Sequence, residues 1–346
     1  MEKLRAKEKL NPPKPGKCSL ANARRRKDWE KMTKPERKNY IDAVKCMFTK
    51  PSTVSAEWAA GARVRYDDFA AIHINKTLGI HGTGNFLTWH RYHNWVYEKA
   101  LREECGYKGA HPYWNWFKYQ DRLLENPLFD GSDTSMGGNG AFFQHNGTLA
   151  AGLVYVPSGT GGGCVQSGFI KDISISLGPI RPAMDGMSTP VAGTMIYNPR
   201  CLRRDLNMYA AKKWHNYENL LDVVTGPHSG DIVTFQDEFQ GRPPDGFLGL
   251  HSGGHHVIGG DNSDNYSSVV DPIFHFHHAM VDYVYWLWQA LHPDQARQVG
   301  GTIKARSPAE GYTQRTDNLD LGEVAADLSI DEALDTLDGP FCYIYE

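Results

Sequence analysis

Residues 271–291, DPIFHFHHAMVDYVYWLWQAL, place three histidines in the opening turns of an otherwise apolar, aromatic run. The run predicts a helix. Asp271 can cap it, Pro272 suits its first position, and Val281, Val284, Tyr285 and Trp288 recur at the spacing of one buried face. Most histidines are surface or satisfied core residues, so it is the grouping of His275, His277 and His278 that asks for an explanation. Asp282 follows His278 by one turn, where a carboxylate can accept the outer ring N–H of a metal-bound imidazole.

Further histidines lie upstream. His251 and His255 are four apart, which on a helix puts both rings on one face, a turn apart. Ser252-Gly253-Gly254 between them is a poor helix former. Something other than propensity must hold that turn, and a shared metal would do so. With His278 they make one triad. A second consists of His73 near the end of a helical pattern, His81 in a glycine-rich loop and His90 in the next helix. Two sites of three imidazoles, without a carboxylate, argue for a borderline metal such as Cu, Zn or Fe. Magnesium and calcium take oxygen ligands. A dinuclear zinc hydrolase would normally add a bridging or water-activating carboxylate, which neither triad has. At this level copper against zinc stays open.

Outward from the triads, Thr33-Lys34-Pro35-Glu36 reads as a capping box. It opens a helix carrying Tyr40, Ile41, Val44, Met47 and Phe48, which Lys50-Pro51 ends. Helical patterns follow from Trp58 to about Lys76 and from about Leu87 to Glu104, with glycines between them. Residues 127–200, rich in Gly, Ser, Thr and Pro, read as loop and short strand. Lys212 to Val224 returns to helix, Gly226 to Gly246 reads as turns, and Phe247 to Ile258 carries histidines again. Residues 1–32 read as an arm wrapping the surface, and the tail is polar until Phe341-Cys342-Tyr343-Ile344-Tyr345. The fold class is mainly α with long loops and a few short strands, in a single domain over 1–346.

The 346 residues are 40% hydrophobic and 12% aromatic, with 9 Trp and 17 Tyr, which supplies a sizeable core. A net charge of −3 gives no reason to expect nucleic acid or an acidic membrane as partner. The run Arg24-Arg25-Arg26-Lys27 is short and reads as a solvated face. No apolar stretch reaches membrane-spanning length. Six cysteines (Cys18, Cys46, Cys105, Cys164, Cys201, Cys342) are spread without a CxxC pair, and Asn75, Asn146 and Asn265 head N-x-S/T sequons. Together they read as disulfides and glycosylation in a secreted protein whose leader is missing from this chain. Six cysteines allow about fifteen pairings, among which spacing does not choose.

At the triads the chain resembles the type 3 copper family of tyrosinases, catechol oxidases and hemocyanins. His81-Gly82-Thr83-Gly84-Asn85-Phe86-Leu87-Thr88-Trp89-His90-Arg91-Tyr92, followed by Glu98 and Leu101, is similar to that family's first-copper signature. Pro112-Tyr113-Trp114-Asn115-Trp116 resembles the block after it. Asp271-Pro272-Ile273-Phe274, His277-His278-Ala279 and Asp282 resemble the second-copper signature. The likeness runs from about Arg25 to Tyr345 and is closest to short fungal catechol oxidases. It implies a central four-helix bundle holding a dinuclear copper site, with His73, His81 and His90 on one ion and His251, His255 and His278 on the other. His277 would then stand just behind the ligands. It further implies the disulfides Cys18–Cys342, Cys46–Cys105 and Cys164–Cys201. Tyr343-Ile344-Tyr345 would be the closing tyrosine motif, with Arg25 stacked near it, and a C-terminal shielding domain would be lacking. The implied activity is oxidation of o-diphenols to o-quinones with dioxygen reduced to water. Small phenols are the implied partners, and a monomer suffices. A hemocyanin-like dioxygen carrier would use the same ligands but would need a shielded pocket.

The departures bear on the substrate. Gly79-Ile80 precede His81 with no cysteine near, so the thioether link of many members is absent. Leu248 stands where some tyrosinases carry a water-orienting glutamate, and Ser252 where efficient hydroxylases often have asparagine. Val270 and Asn115 replace a usual asparagine and aspartate. Diphenol oxidation is therefore the expected activity, with only weak ortho-hydroxylation of monophenols. Asn265 reads equally as a glycosylated loop residue or as a gate at the pocket mouth. His256 and His275 read as pocket-facing or packed, and Phe274 as core rather than gate.

Overall fold

The computed structural model describes residues 1–10, 13, 17–190 and 193–346. Its helices are α1 (Glu2–Leu10), α2 (Lys34–Met47), α3 (Arg65–Lys76), α4 (Phe86–Cys105), α5 (Met208–Trp214), α6 (Tyr217–Thr225), α7 (Ile232–Gln240), α8 (Gly249–Ile258) and α9 (Ile273–Leu291). The strands are two to four residues long and pair as separate two-stranded ribbons. Helices α3, α4, α8 and α9 form the central four-helix bundle. α9 packs on both α4 and α8, and Phe69 of α3 lies edge-on to His93 of α4. Asn94 of α4 and His275 of α9 join the two helices in the core: Asn94 Nδ2 donates to the His275 carbonyl at 3.0 Å, and His275 Nδ1 meets Asn94 Oδ1 at 2.8 Å.

Local chemistry sets most helix ends. The capping box of α2 is present, with the Thr33 amide donating to Glu36 and the Glu36 amide to Thr33. Gly106 closes α4 in the left-handed conformation at φ 69°, which costs a glycine little. Asp271 accepts from the Ile273 amide at 3.0 Å and grips Arg204 through two bonds of 2.7 Å. Pro272 stands just before the first helical residue rather than at it.

Several boundaries differ from the sequence reading. α3 begins at Arg65, not Trp58, because Asp67 accepts from the Arg63 and Val64 amides and so fixes the first turn there. The stretch from Lys212 to Val224 is two helices. Asn216 breaks it by capping α6 through the Asn219 amide. The turn-rich stretch from Gly226 to Gly246 contains α7, capped by Asp231 on the Val233 and Thr234 amides and buried through Phe235 and Phe239.

Residues Arg24–Arg26 pair in parallel with Tyr343–Tyr345, drawing the two ends of the chain together. The arginine stacked on the tyrosine motif is Arg26, not Arg25. Its guanidinium lies 3.6 Å from the Tyr343 ring centroid, whereas Arg25 faces outward and pairs with Glu346. The pleat is the reason, since neighbours on a strand point to opposite faces. Disulfides join Cys18 to Cys342, Cys46 to Cys105 and Cys164 to Cys201, with Cα atoms 5.5, 5.8 and 5.6 Å apart.

Candidate metal centre

The imidazoles stand in two groups on the bundle. His73 comes from α3, His81 from the loop beyond it and His90 from α4, and one ring nitrogen of each lies within 4.8 Å of the others. His251 and His255 of α8 and His277 and His278 of α9 make the second group within the same limit. The groups face each other: the His90 and His278 rings stack with centroids 4.4 Å apart, and His81 and His251 are 5.9 Å apart. Phe274 is buried against one ring of each group, 4.1 Å from His278 and 5.0 Å from His73.

Main-chain atoms decide where several protons sit. His73 Nδ1 donates to the Tyr266 carbonyl at 2.7 Å, His81 Nδ1 to Thr77 at 3.0 Å and His90 Nδ1 to Phe86 at 2.8 Å. His255 Nδ1 donates to Asn262 Oδ1 at 2.8 Å. Each bond leaves the lone pair on Nε2. Buried His73 Nε2 and His90 Nε2 meet no hydrogen-bond partner. His255 Nε2 stands 3.2 Å from His251 Nε2 and 3.4 Å from His278 Nε2. Burial pushes the pKa values of His81 and His255 down to about 4, and those of His73, His90, His251 and His278 well below the ordinary range. All six are neutral at pH 7 and free to donate to a cation. Convergent neutral imidazoles without a carboxylate fit copper. His277 adds a fourth ring to the second group, with both nitrogens unpartnered.

Asp282 does something other than orient an imidazole. It accepts from Arg91 at 2.6 Å, Arg26 at 3.2 Å and the hydroxyls of Tyr343 and Tyr345 at 2.6 Å each, while His278 Nδ1 has no partner. Burial alone would raise its pKa, but Arg91 and Arg26 hold the carboxyl below the usual range.

A pocket of about 790 Å³ opens over the two groups, with His81, His251 and His255 in its floor. Leu248, Ser252, His256 and Asn265 line it. Ser252 donates its hydroxyl to the Gln240 carbonyl at 2.6 Å. Asn265 is exposed, as are the other sequon residues Asn75 and Asn146. His275 is not in the pocket but stacks on Tyr97 at 3.5 Å. Sequence reasoning missed Asn262. Its only signal is its place in the loop after α8, and the carbonyl acceptors of the other rings leave no side-chain signal at all.

A helical bundle that turns two carboxylate-free histidine groups toward each other beneath an open pocket defines a dinuclear-metal protein. The model for the common central domain of tyrosinase matches residues 63–291, and the chain belongs to the tyrosinase family. Tyrosinase P of Aspergillus terreus is 38% identical over 335 residues, covering 92% of this chain and 91% of that protein. The N-acetyl-6-hydroxytryptophan oxidase ivoB of Emericella nidulans is 36% identical over 348 residues, covering 95% and 94%. A mutant polyphenol oxidase from Thermothelomyces thermophila superposes with a TM-score of 0.93 at 36% identity, covering 100% of this chain and 94% of that one. The centre is accordingly a dinuclear copper site with dioxygen as co-substrate, in an oxidoreductase.

Proposed function

We propose that the chain oxidises o-diphenols to o-quinones, with weak ortho-hydroxylation of monophenols at most. In this reading His73, His81 and His90 hold one copper ion and His251, His255 and His278 the other. When bound, the copper pair supplies the redox chemistry that couples diphenol oxidation to dioxygen reduction. Two diphenols each give up two electrons and two protons, and one dioxygen becomes two waters.

The observation that carries the reading is the pocket wall beside α8. Leu248 is apolar, and the Ser252 hydroxyl is spent on a carbonyl. Neither can take a proton from a monophenol. Diphenol oxidation asks less of the wall, because a catechol gives up its first proton more readily than a monophenol does. The exposed mouth also disfavours a dioxygen carrier. His277 lies beside the ligands without being one, and Phe274 packs against His278 and His73 as core. Three disulfides and three exposed sequons support a secreted glycoprotein. Among the described residues no helix is long and apolar enough to cross a membrane.

Oxygen uptake by copper-loaded protein with 4-methylcatechol tests this, with 4-methylphenol as the monophenol and a hydroxyindole in the panel because of the relative named for one. Rapid uptake with the catechol and slow, lagging uptake with the monophenol are expected. No uptake with any o-diphenol at full copper loading would overturn the proposal.

A further inference from the structure

The charge at the pocket mouth points to a narrower substrate class. We propose that Arg306 and Arg181 form a clamp selecting phenols that bear a carboxylate; this rests on the pocket being the phenol site.

Arg306 lines the pocket in a left-handed conformation, φ 48°, which residues with a Cβ disfavour and which folds retain where the surroundings demand it. Its amide donates to the Gly82 carbonyl at 2.9 Å, and the Ala305 amide donates to Leu78 at 3.1 Å. Its Nη2 donates to the Gly241 carbonyl at 2.6 Å. Gly82 adjoins His81, so the arginine is fastened to the loop that carries an imidazole of the first group. Arg181 lines the same pocket. Asp264 accepts from its amide at 2.7 Å and from that of Ile180 at 2.6 Å, and its guanidinium lies 6.0 Å from the Tyr266 ring centroid. Tyr266 in turn holds His73. Both cations are therefore set on backbone that also positions the metal-facing rings.

Among the described residues no Asp, Glu or Lys lines the pocket, so the two arginines are its permanently charged side chains. Among the described residues neither makes an ion pair; Asp237 feels Arg306 only at longer range. Leu78, Leu149, Pro243 and Leu248 supply apolar wall for an aromatic ring. A cleft of one sign of charge concentrates ligands of the other, and the planar guanidinium fork matches a carboxylate.

Benzoate and its neutral analogue benzamide, neither oxidisable here, separate binding from turnover. Ligand-observed NMR titrations of both into copper-free protein should show tighter binding of benzoate. The Arg181→Gln/Arg306→Gln double variant should lose that preference by about tenfold, and Arg306→Lys, which keeps the charge without the planar fork, should lose only part of it. In copper-loaded enzyme, the ratio of kcat/KM for 3-(3,4-dihydroxyphenyl)propionate to that for its methyl ester should fall by a similar factor, through KM, and added salt should erode it in the parent protein. Equal affinity for benzoate and benzamide, or a double variant as selective as the parent, would overturn the clamp. Selective benzoate binding with no diphenol oxidised would leave the clamp standing and remove the diphenol reading.

Discussion

A buried imidazole can donate to a metal only if its proton is placed elsewhere; carbonyl groups do this for His73, His81 and His90, while His251 Nδ1 and His278 Nδ1 meet no partner. For His255 the acceptor is the side chain of Asn262. Asn262→Ala should free the ring and weaken copper retention about 10–100-fold, the usual cost of losing such an orienting partner; a chelator titration reads it directly. His278→Ala removes a proposed ligand outright. Copper content should drop from two ions per chain toward one, and o-diphenol oxidation should be lost. Full copper loading in that variant would refute the ligand assignment.

At the scale of the element, Gly253 and Gly254 have a role that propensity hid. They permit close approach. A Cβ at Gly253 would fall 2.6 Å from Trp214 Cβ, and one at Gly254 would fall 2.1 Å from His277 Cε1 and 2.9 Å from His215 Nε2. Packing of α8 against α5 and α9 thus supplies a hold on the turn beyond propensity, beside the shared metal that the sequence suggested. Gly254→Ala should displace His277 and destabilise the copper-free protein by about 1–3 kcal/mol through overpacking, measurable by urea unfolding. Asp282 ties α9 to α4 and to both end strands. Asp282→Asn would strip a buried partner from Arg91 and Arg26, and a loss of about 3–5 kcal/mol is expected. A loss within experimental error in the same assay would mean that Glu98, which also holds Arg26, suffices.

For the molecule as a whole, the neutral interior has a consequence in acid. Away from the proposed ligands, burial also holds His93 at about 4 and His215 at about 3, and keeps His111 and His275 well below the ordinary value. In the unfolded chain each titrates near 6.5, so the unfolded state takes up protons first as pH falls. Copper-free protein should therefore keep its full stability above about pH 6.5 and lose it progressively toward pH 4, with about 3 kcal/mol attributable to a histidine held near 4. Urea midpoints at pH 7.5 and 4.5 check this, and a flat profile would contradict it.

What the sequence by itself determined is what near neighbours control. Thr33 and Glu36 cap α2, Asp271 accepts the first amide of α9 from one residue before its N-cap, and the spacing of Val281, Val284, Tyr285 and Trp288 buries one face. The grouped, carboxylate-free histidines likewise point to a borderline metal. Asp231 and the apolar Ile232, Phe235 and Phe239 were a readable signal for α7, masked by the prolines and glycines around it. The tertiary structure alone decided the rest. Arg26 rather than Arg25 turns inward because a strand from the far end of the chain sets the pleat. Asp282 serves Arg26, Tyr343 and Tyr345 because both end strands arrive beside it, and Arg91 because α4 packs on α9. His73, His81 and His90 owe their free Nε2 lone pairs to carbonyl groups that every residue possesses. A main-chain acceptor carries no identity in the sequence, and only packing brings it to the ring that needs it.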